Sequence, residues 1–168
     1  MSTTEATTMR LPQPEEITER EKDDAMGAYL MMFASLAIGL PIPLINLIAS
    51  LIYFFVNRKT STFVAFHALQ ALLTHIPVVL LNAGVVAWII VNIASKSVLP
   101  VFFWYLFFTI LVNLTYIVWS IVALIHANKG RFFYMPLFGR LCFGVYYGPH
   151  ARKPRSPRAW ENRPPEGY

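Results

Sequence analysis

The chain has 168 residues, 56% of them hydrophobic, and a formal net charge of +5. Its mean hydropathy of +0.50 is too high for a soluble domain with a single core. One cysteine, Cys142, excludes an intrachain disulfide and a cysteine-based zinc cluster. Every Asp and Glu lies at or before Asp24 or at or after Glu161, which argues against carboxylate catalysis and against a carboxylate metal site in a membrane. We therefore expect neither enzyme activity nor a bound metal.

Composition divides the chain into four regions. They are an acidic N-terminal tail (1–24), a helical transmembrane domain (25–130), an interfacial aromatic segment (131–147) and a Pro/Arg-rich C-terminal tail (148–168). Three long apolar blocks fill the transmembrane domain, and about 20 apolar residues suffice to cross the hydrocarbon core. The sequence thus predicts an all-α integral membrane protein.

The first apolar block is interrupted at Pro41 and Pro43. Because each proline removes a backbone donor and clashes with the preceding turn, we expect two helices, about 26–39 and 43–57. A short hairpin is favoured over one sharply kinked span, which brings the total to four helices.

The second block, about 62–95, contains Pro77, which predicts a kink near Leu73. Pro100 then begins the third block at a position where a helix tolerates proline. Gly130 is the expected residue just after this helix. The segment after it is aromatic and broken by Pro136, Gly139 and Gly144, so it predicts an interfacial element too short to span.

Basic residues set the expected orientation. They cluster in the turn after the first block and in the region after the third, and they are the candidates for contact with partners or anionic lipid head groups: Arg58, Lys59, Arg131, Arg140, Arg152, Lys153, Arg155 and Arg158. We expect a multi-pass protein of the bacterial inner membrane with its C-terminus in the cytoplasm. In a membrane protein such a basic tail favours lipid or a protein partner, and nucleic acid is not expected.

Polar side chains recur at helical spacing inside the apolar blocks. The predicted intramembrane polar face consists of His67, Gln70, Thr74, His75, Asn82, Asn113, Tyr116 and Ser120. Since polar groups in hydrocarbon face protein or water, we expect the faces of the second and third blocks to meet. Interhelical hydrogen bonds explain these residues most simply, and a hydrated path between the two faces is the alternative. A haem or other tetrapyrrole at His67 or His75 is a minority hypothesis.

Three segments resemble a known family: PLINLI (43–48), NRKTSTFVAFHALQAL (57–72) and ALIHANKGRFFYMPL (123–137). Together they are similar to the Tic-twenty-like small bacterial membrane proteins, a domain of unknown function related to the chloroplast inner-envelope import component. The resemblance covers roughly residues 25–141. It implies a four-helix membrane domain and, by analogy with the plastid relatives, a part in preprotein translocation. It supplies no catalytic residues.

The leading hypothesis from the sequence is a non-enzymatic accessory or scaffold subunit of a larger membrane complex. The alternatives are transport or protein translocation through the seam between the polar faces, and tetrapyrrole binding through a membrane histidine. Other membrane-protein subunits and the lipid bilayer are the expected partners.

Overall fold

The computed structural model describes residues 11–33, 43–148 and 162–166. In these residues all regular structure is helical, with no strand. The five α-helices are α1 (Glu19–Leu30), α2 (Pro43–Asn57), α3 (Thr62–Ser95), α4 (Pro100–Asn128) and α5 (Phe138–Tyr146). The prediction of an all-α protein is confirmed.

Local sequence explains where the helices begin. Thr18 and Glu21 form a capping box at α1, because each side chain accepts a hydrogen bond from the other residue's backbone N–H. Burial alone would raise the pKa of Glu21, but the hydrogen bonds from Thr18 outweigh it and hold that pKa below its usual value. Ser61 caps α3 by accepting a hydrogen bond from Val64 N at 3.2 Å. Helix α1 therefore begins earlier than the predicted residue 26, since a strong cap precedes its charged first turns.

Helices α1 and α2 contact each other. Tyr53 Oη of α2 donates to Asp24 O of α1 at 2.8 Å, and Gly27 lets the phenol approach the α1 backbone. Helix α2 begins at Pro43 as predicted. Pro41 and the connection at 34–42 lie outside the described residues.

Burial divides the rest of the structure into two parts, which we call the base and the hairpin. The base comprises residues 11–33, 62–79, 120–148 and 162–166. The hairpin comprises residues 80–119, which are the second half of α3, the turn after it and the first part of α4; it is not the hairpin predicted for the first apolar block. Helix α2 belongs to neither part. All buried residues of α3 lie between Phe63 and Val79, so the half of that helix beyond them belongs to the hairpin. The aromatic core of the base is centred on Phe66 and Phe132, whose rings pack edge to face with centroids 5.1 Å apart.

Helices α3 and α4 are long and apolar enough to cross a membrane. Only 11% and 17% of their most apolar windows are buried inside the protein, so most of this surface needs an apolar surrounding. We conclude that the chain is a membrane protein and that its exposed apolar helices contact the bilayer. At about 51 Å, α3 exceeds the roughly 30 Å of hydrocarbon, and its first turns are buried in the base.

The prediction of four membrane helices is wrong in number, since two of the described helices can span. Helix α2 has only 15 residues, fewer than a span needs, and α1 has 12, of which the first six are charged. Both helices instead pack on α3, with α1 also packing on α4. The α3 helix remains continuous through Pro77.

The segment after α4 turns sharply and then forms α5. Gly130 follows the C-cap of α4 with a φ of 67°, in agreement with its predicted place. Gly139 brings α5 against the backbone of Tyr134, where a Cβ would meet main-chain atoms. Helix α5 buries Cys142 and Phe143 and exposes Leu141 and Val145. Before α5, Phe132 and Met135 of the predicted interfacial segment are also buried in the core of the base.

Candidate functional site

Gln70 is the centre of a buried polar junction in the base. Its Nε2 donates to Tyr29 Oη and to the carbonyl of Phe133, both at 2.9 Å. Its Oε1 accepts from the backbone N–H of Met135 at 3.2 Å. One fully buried side chain on α3 thereby joins α1 to the segment that follows α4. Because these groups are away from water, each would be costly to leave without a partner.

His67 lies one turn before Gln70 and shares the same tyrosine. Its Nδ1 is 2.9 Å from Tyr29 Oη. Burial raises the pKa of Tyr29, so the phenol keeps its proton and can donate it to the imidazole. The rings of Phe63 and Phe66 pack edge-on against the histidine with centroids at 4.6 and 5.1 Å. His67 is therefore a fully enclosed member of the core.

A second buried amide, that of Asn162, joins the segment at 162 to residues 12–13 and to the turn after α4. Asn162 Nδ2 donates to the carbonyls of Pro12 and Gly130 at 2.7 and 2.9 Å. Its Oδ1 accepts from Phe132 N at 3.0 Å, and its backbone N–H donates to Gln13 Oε1 at 3.3 Å. The N-terminal arm, the turn after α4 and the C-terminal segment meet at this one side chain.

Two pairs of side chains join α3 to α4. Asn82 and Asn113 exchange hydrogen bonds in both directions, each at 3.1 Å. His75 Nδ1, in the base, lies 3.0 Å from Tyr116 Oη at the base end of the hairpin. Such contacts are typical of interhelical adhesion in membranes. The polar groups face each other across the helix interface, and this geometry offers interhelical bonding rather than a lined path.

The remaining predicted polar residues have other partners. Thr74 Oγ1 donates to Gln70 O at 2.7 Å and contacts Met135 Sδ at 3.2 Å. Ser120 is buried within the base. His67 and Gln70 do not bond to α4 in the described structure, because α1 and residues 132–135 lie against that side of α3.

The predicted basic contacts are only partly described. Arg58 lies over the Phe55 ring with its guanidinium carbon 4.9 Å from the centroid. Arg131 and Arg140 lie in the base, and Arg131 is half-buried. The predicted tail contacts Arg152, Lys153, Arg155 and Arg158 lie outside the described residues. Within residues 11–33, 43–148 and 162–166, no group of three or more His, Cys, Asp or Glu side chains could hold a metal ion.

The sequence did not point to Tyr29, Tyr105 or Asn162. Tyr29 ends an amphipathic charged helix and looks like an interfacial anchor. Tyr105 Oη donates to Leu81 O at 2.9 Å inside the hairpin, but the surrounding aromatic run suggested only a membrane belt. Asn162 stands in a polar tail with no periodic neighbour, so no local signal marks it.

Comparison with known proteins assigns the family. Residues 22–142 match the model of the MamF/MmsF family, described as the magnetosome magnetite crystal formation protein family. The match covers more than half of the chain. The chain belongs to this family. No curated protein and no solved structure matches it.

This result corrects the Tic-twenty-like assignment, which was wrong. The three segments behind that resemblance contain a proline helix start, a capped basic turn and a glycine helix end. Small helical membrane proteins share these features for physical reasons, so they do not identify one family. The MamF/MmsF match includes Tyr29, Gln70 and the Asn82–Asn113 pair, whereas Asn162 lies beyond it.

Proposed function

We propose that this chain is a non-enzymatic accessory subunit that scaffolds a membrane assembly in which magnetite crystals form. Membership of the MamF/MmsF family supports a role in magnetite crystal formation. The observation that carries the scaffold role is the division into a lipid-exposed hairpin and a packed base in which Asn162 bonds to Pro12 of the N-terminal arm. Such a molecule fixes the base at a membrane surface.

Internal pairing of the polar groups supports a role without catalysis. The chain has no Asp or Glu between Ala25 and Trp160. The buried side chain of Gln70 and the half-buried side chains of Asn82 and Asn113 bond to other parts of the same chain. A catalytic group must reach a substrate, and these groups are occupied by structural contacts.

The distribution of charge supports an orientation with the base in the cytoplasm. Arg58 and Lys59 lie at the base end of α2, and Lys129 lies at the base end of α4. The turn at the far end of the hairpin carries Lys96. By the positive-inside rule the base faces the cytoplasm, and the C-terminus lies on the same side because Asn162 bonds there. We place the hairpin in the magnetosome membrane.

Exposed carboxylates on the base offer a surface for a partner. Glu15, Glu19 and Asp23 are exposed on the N-terminal arm and α1. Helix α1 turns Ala25, Ala28 and Tyr29 into the core, so Glu19 and Asp23 face outwards beside Arg20, and Glu19 accepts a hydrogen bond from Lys22 Nζ at 2.7 Å. A basic surface on another subunit would complement these carboxylates, with electrostatics contributing mainly to specificity and association rate.

The experiment combines purification in mild detergent with measurement of crystals in cells that make them. We expect the unsubstituted protein to co-purify with membrane-protein partners. Glu15→Lys/Asp23→Lys should lose those partners and give smaller or fewer crystals. The matched control is Lys96→Glu, a charge reversal at the other end of the molecule, which should keep both. A clean monomer that brings down no partner would count against the scaffold role.

A further inference from the structure

A crevice of about 440 Å³ lies where the hairpin joins the base. Its walls are α3 around Pro77, α4 from Phe108 to Trp119, and the turn before α5. The volume falls within the roughly 300–1,000 Å³ of small-molecule sites. The side chains of Gln70, Asn82 and Asn113 do not line the crevice, whereas Met135, whose backbone N–H bonds to Gln70, does.

Three hydroxyl side chains line the crevice, and each is already engaged in a hydrogen bond. Thr74 donates to Gln70 O at 2.7 Å, and Thr115 donates to Leu111 O at 2.8 Å. Tyr116 Oη is paired with His75 Nδ1 at 3.0 Å. The other lining side chains are aliphatic, aromatic, proline or methionine. A polar occupant would lose its hydration there with little compensation, so the walls select hydrocarbon.

The crevice is continuous with the surface that contacts lipid. Phe108 and Leu111 line it and are also 54% and 46% exposed on α4. In a bilayer, acyl chains pack against this surface and are the hydrocarbon present at the opening. An acyl chain can therefore enter from the side without crossing water.

Leu137 stands at the opening on the base side. It is 89% exposed, and its φ of 70° and ψ of −50° are those of a γ-turn that is rare and strained for a non-glycine residue. The turn around it is closed by Gly139 N donating to Met135 O at 2.8 Å. A strained apolar residue held outwards is the kind of feature that accompanies a binding site. An acyl chain lying beside Leu137 would cover its exposed side chain.

We propose that the crevice holds one acyl chain of a bilayer phospholipid, which stays bound when the surrounding lipid is removed. The bound chain fills the space between α3, α4 and the turn before α5. It would thereby fix the angle at which the hairpin leaves the base. The proposal concerns a lipid as a structural ligand and does not depend on the scaffold role.

Trp119 provides a direct probe, because it lines the crevice and Trp104 does not. Two single-tryptophan proteins are made, one keeping Trp119 and one keeping Trp104, with the other three tryptophans replaced by phenylalanine. Each is reconstituted in vesicles of phosphatidylcholine brominated on its acyl chains, and then exchanged into mild detergent. We expect Trp119 fluorescence to stay quenched. Trp104, which is 74% exposed, should recover once the surrounding lipid is gone.

Two neighbouring residues on α4 supply matched variants. Thr115→Phe places a ring in the crevice and should abolish the retained quenching of Trp119. Leu114→Phe adds bulk at an exposed position that does not line the crevice, and should leave the quenching unchanged. Native mass spectrometry of the unsubstituted protein should show one retained phospholipid per chain. Recovery of Trp119 in step with Trp104, retained quenching in Thr115→Phe, or a lipid-free mass would each overturn the proposal.

Discussion

Replacing Gln70 by leucine tests whether the polar junction holds the base together. Leucine keeps a similar volume and removes every hydrogen bond of the amide. The carbonyl of Phe133 and the N–H of Met135 then lose their side-chain partner in the core. Each buried group left without a partner costs about 1–3 kcal/mol, so the two together cost about 2–6 kcal/mol.

Thermal unfolding in mild detergent measures this loss. For a chain of this length about 1 kcal/mol corresponds to a Tm change of about 2–4 °C, so Gln70→Leu should lower Tm by about 4–24 °C. The matched control is Thr115→Val, which removes a hydroxyl bonded only to its own helix at Leu111 O. We expect a far smaller change in the control.

A double-mutant cycle with Tyr29→Phe then locates the interaction. Gln70 Nε2 donates to Tyr29 Oη, so the two substitutions remove a shared contact and their combined effect should be smaller than the sum. A Tm for Gln70→Leu no lower than that of Thr115→Val would refute the reasoning. Strict additivity with Tyr29→Phe would show that the two side chains act separately.

Three further predictions follow from other parts of the structure. Asn113→Leu should destabilise the hairpin by about 0.6–2 kcal/mol in a steric-trap or denaturant assay, and Asn82→Leu added to it should cost little more. Asn162→Ala should leave helicity by circular dichroism unchanged while proteases cut the C-terminal segment faster. Equal cleavage rates in the two proteins would contradict the role of Asn162 in holding that segment on the base. Burial raises the pKa of the Cys142 thiol to about 12, so the folded thiol stays neutral at pH 8 and should react slowly with maleimide until the protein unfolds. The unfolded thiol ionises near pH 9, so the contribution of Cys142 to the free energy of unfolding is complete below pH 9 and is lost as pH rises towards 12. A Cys142→Ala protein should not show this loss of stability at alkaline pH and serves as the comparison.

The parts of the fold that depend on local chemistry could be predicted from the sequence. Runs of apolar residues indicated the membrane helices, and Pro43, Pro100 and Gly130 marked helix ends because their backbone preferences act within one turn. The number of spanning helices could not be obtained this way. An apolar stretch such as α2 packs on protein or lipid alike, and only tertiary contacts distinguish the two.

The candidate site shows the same limit. Polar residues at helical spacing predicted that Asn113 and Tyr116 would face α3, because the spacing fixes the side of the helix. The spacing did not reveal that Gln70 turns to α1 and to the segment after α4. Tyr29 lies 41 positions from Gln70, and Asn162 lies 149 from Gln13. Contacts over such distances leave no periodic trace in a single sequence.

The tie made by Asn162 has a consequence for the order of events during synthesis. A chain is made from its N-terminus, so residues 11–17 and both membrane helices exist before residue 162 leaves the ribosome. The arm at Pro12 and Gln13 can gain its hydrogen bonds to Asn162 only after residue 162 has been made. The residues of both membrane helices and of the Gln70 junction all precede Asn162 in the chain, so their contacts can form before those of Asn162.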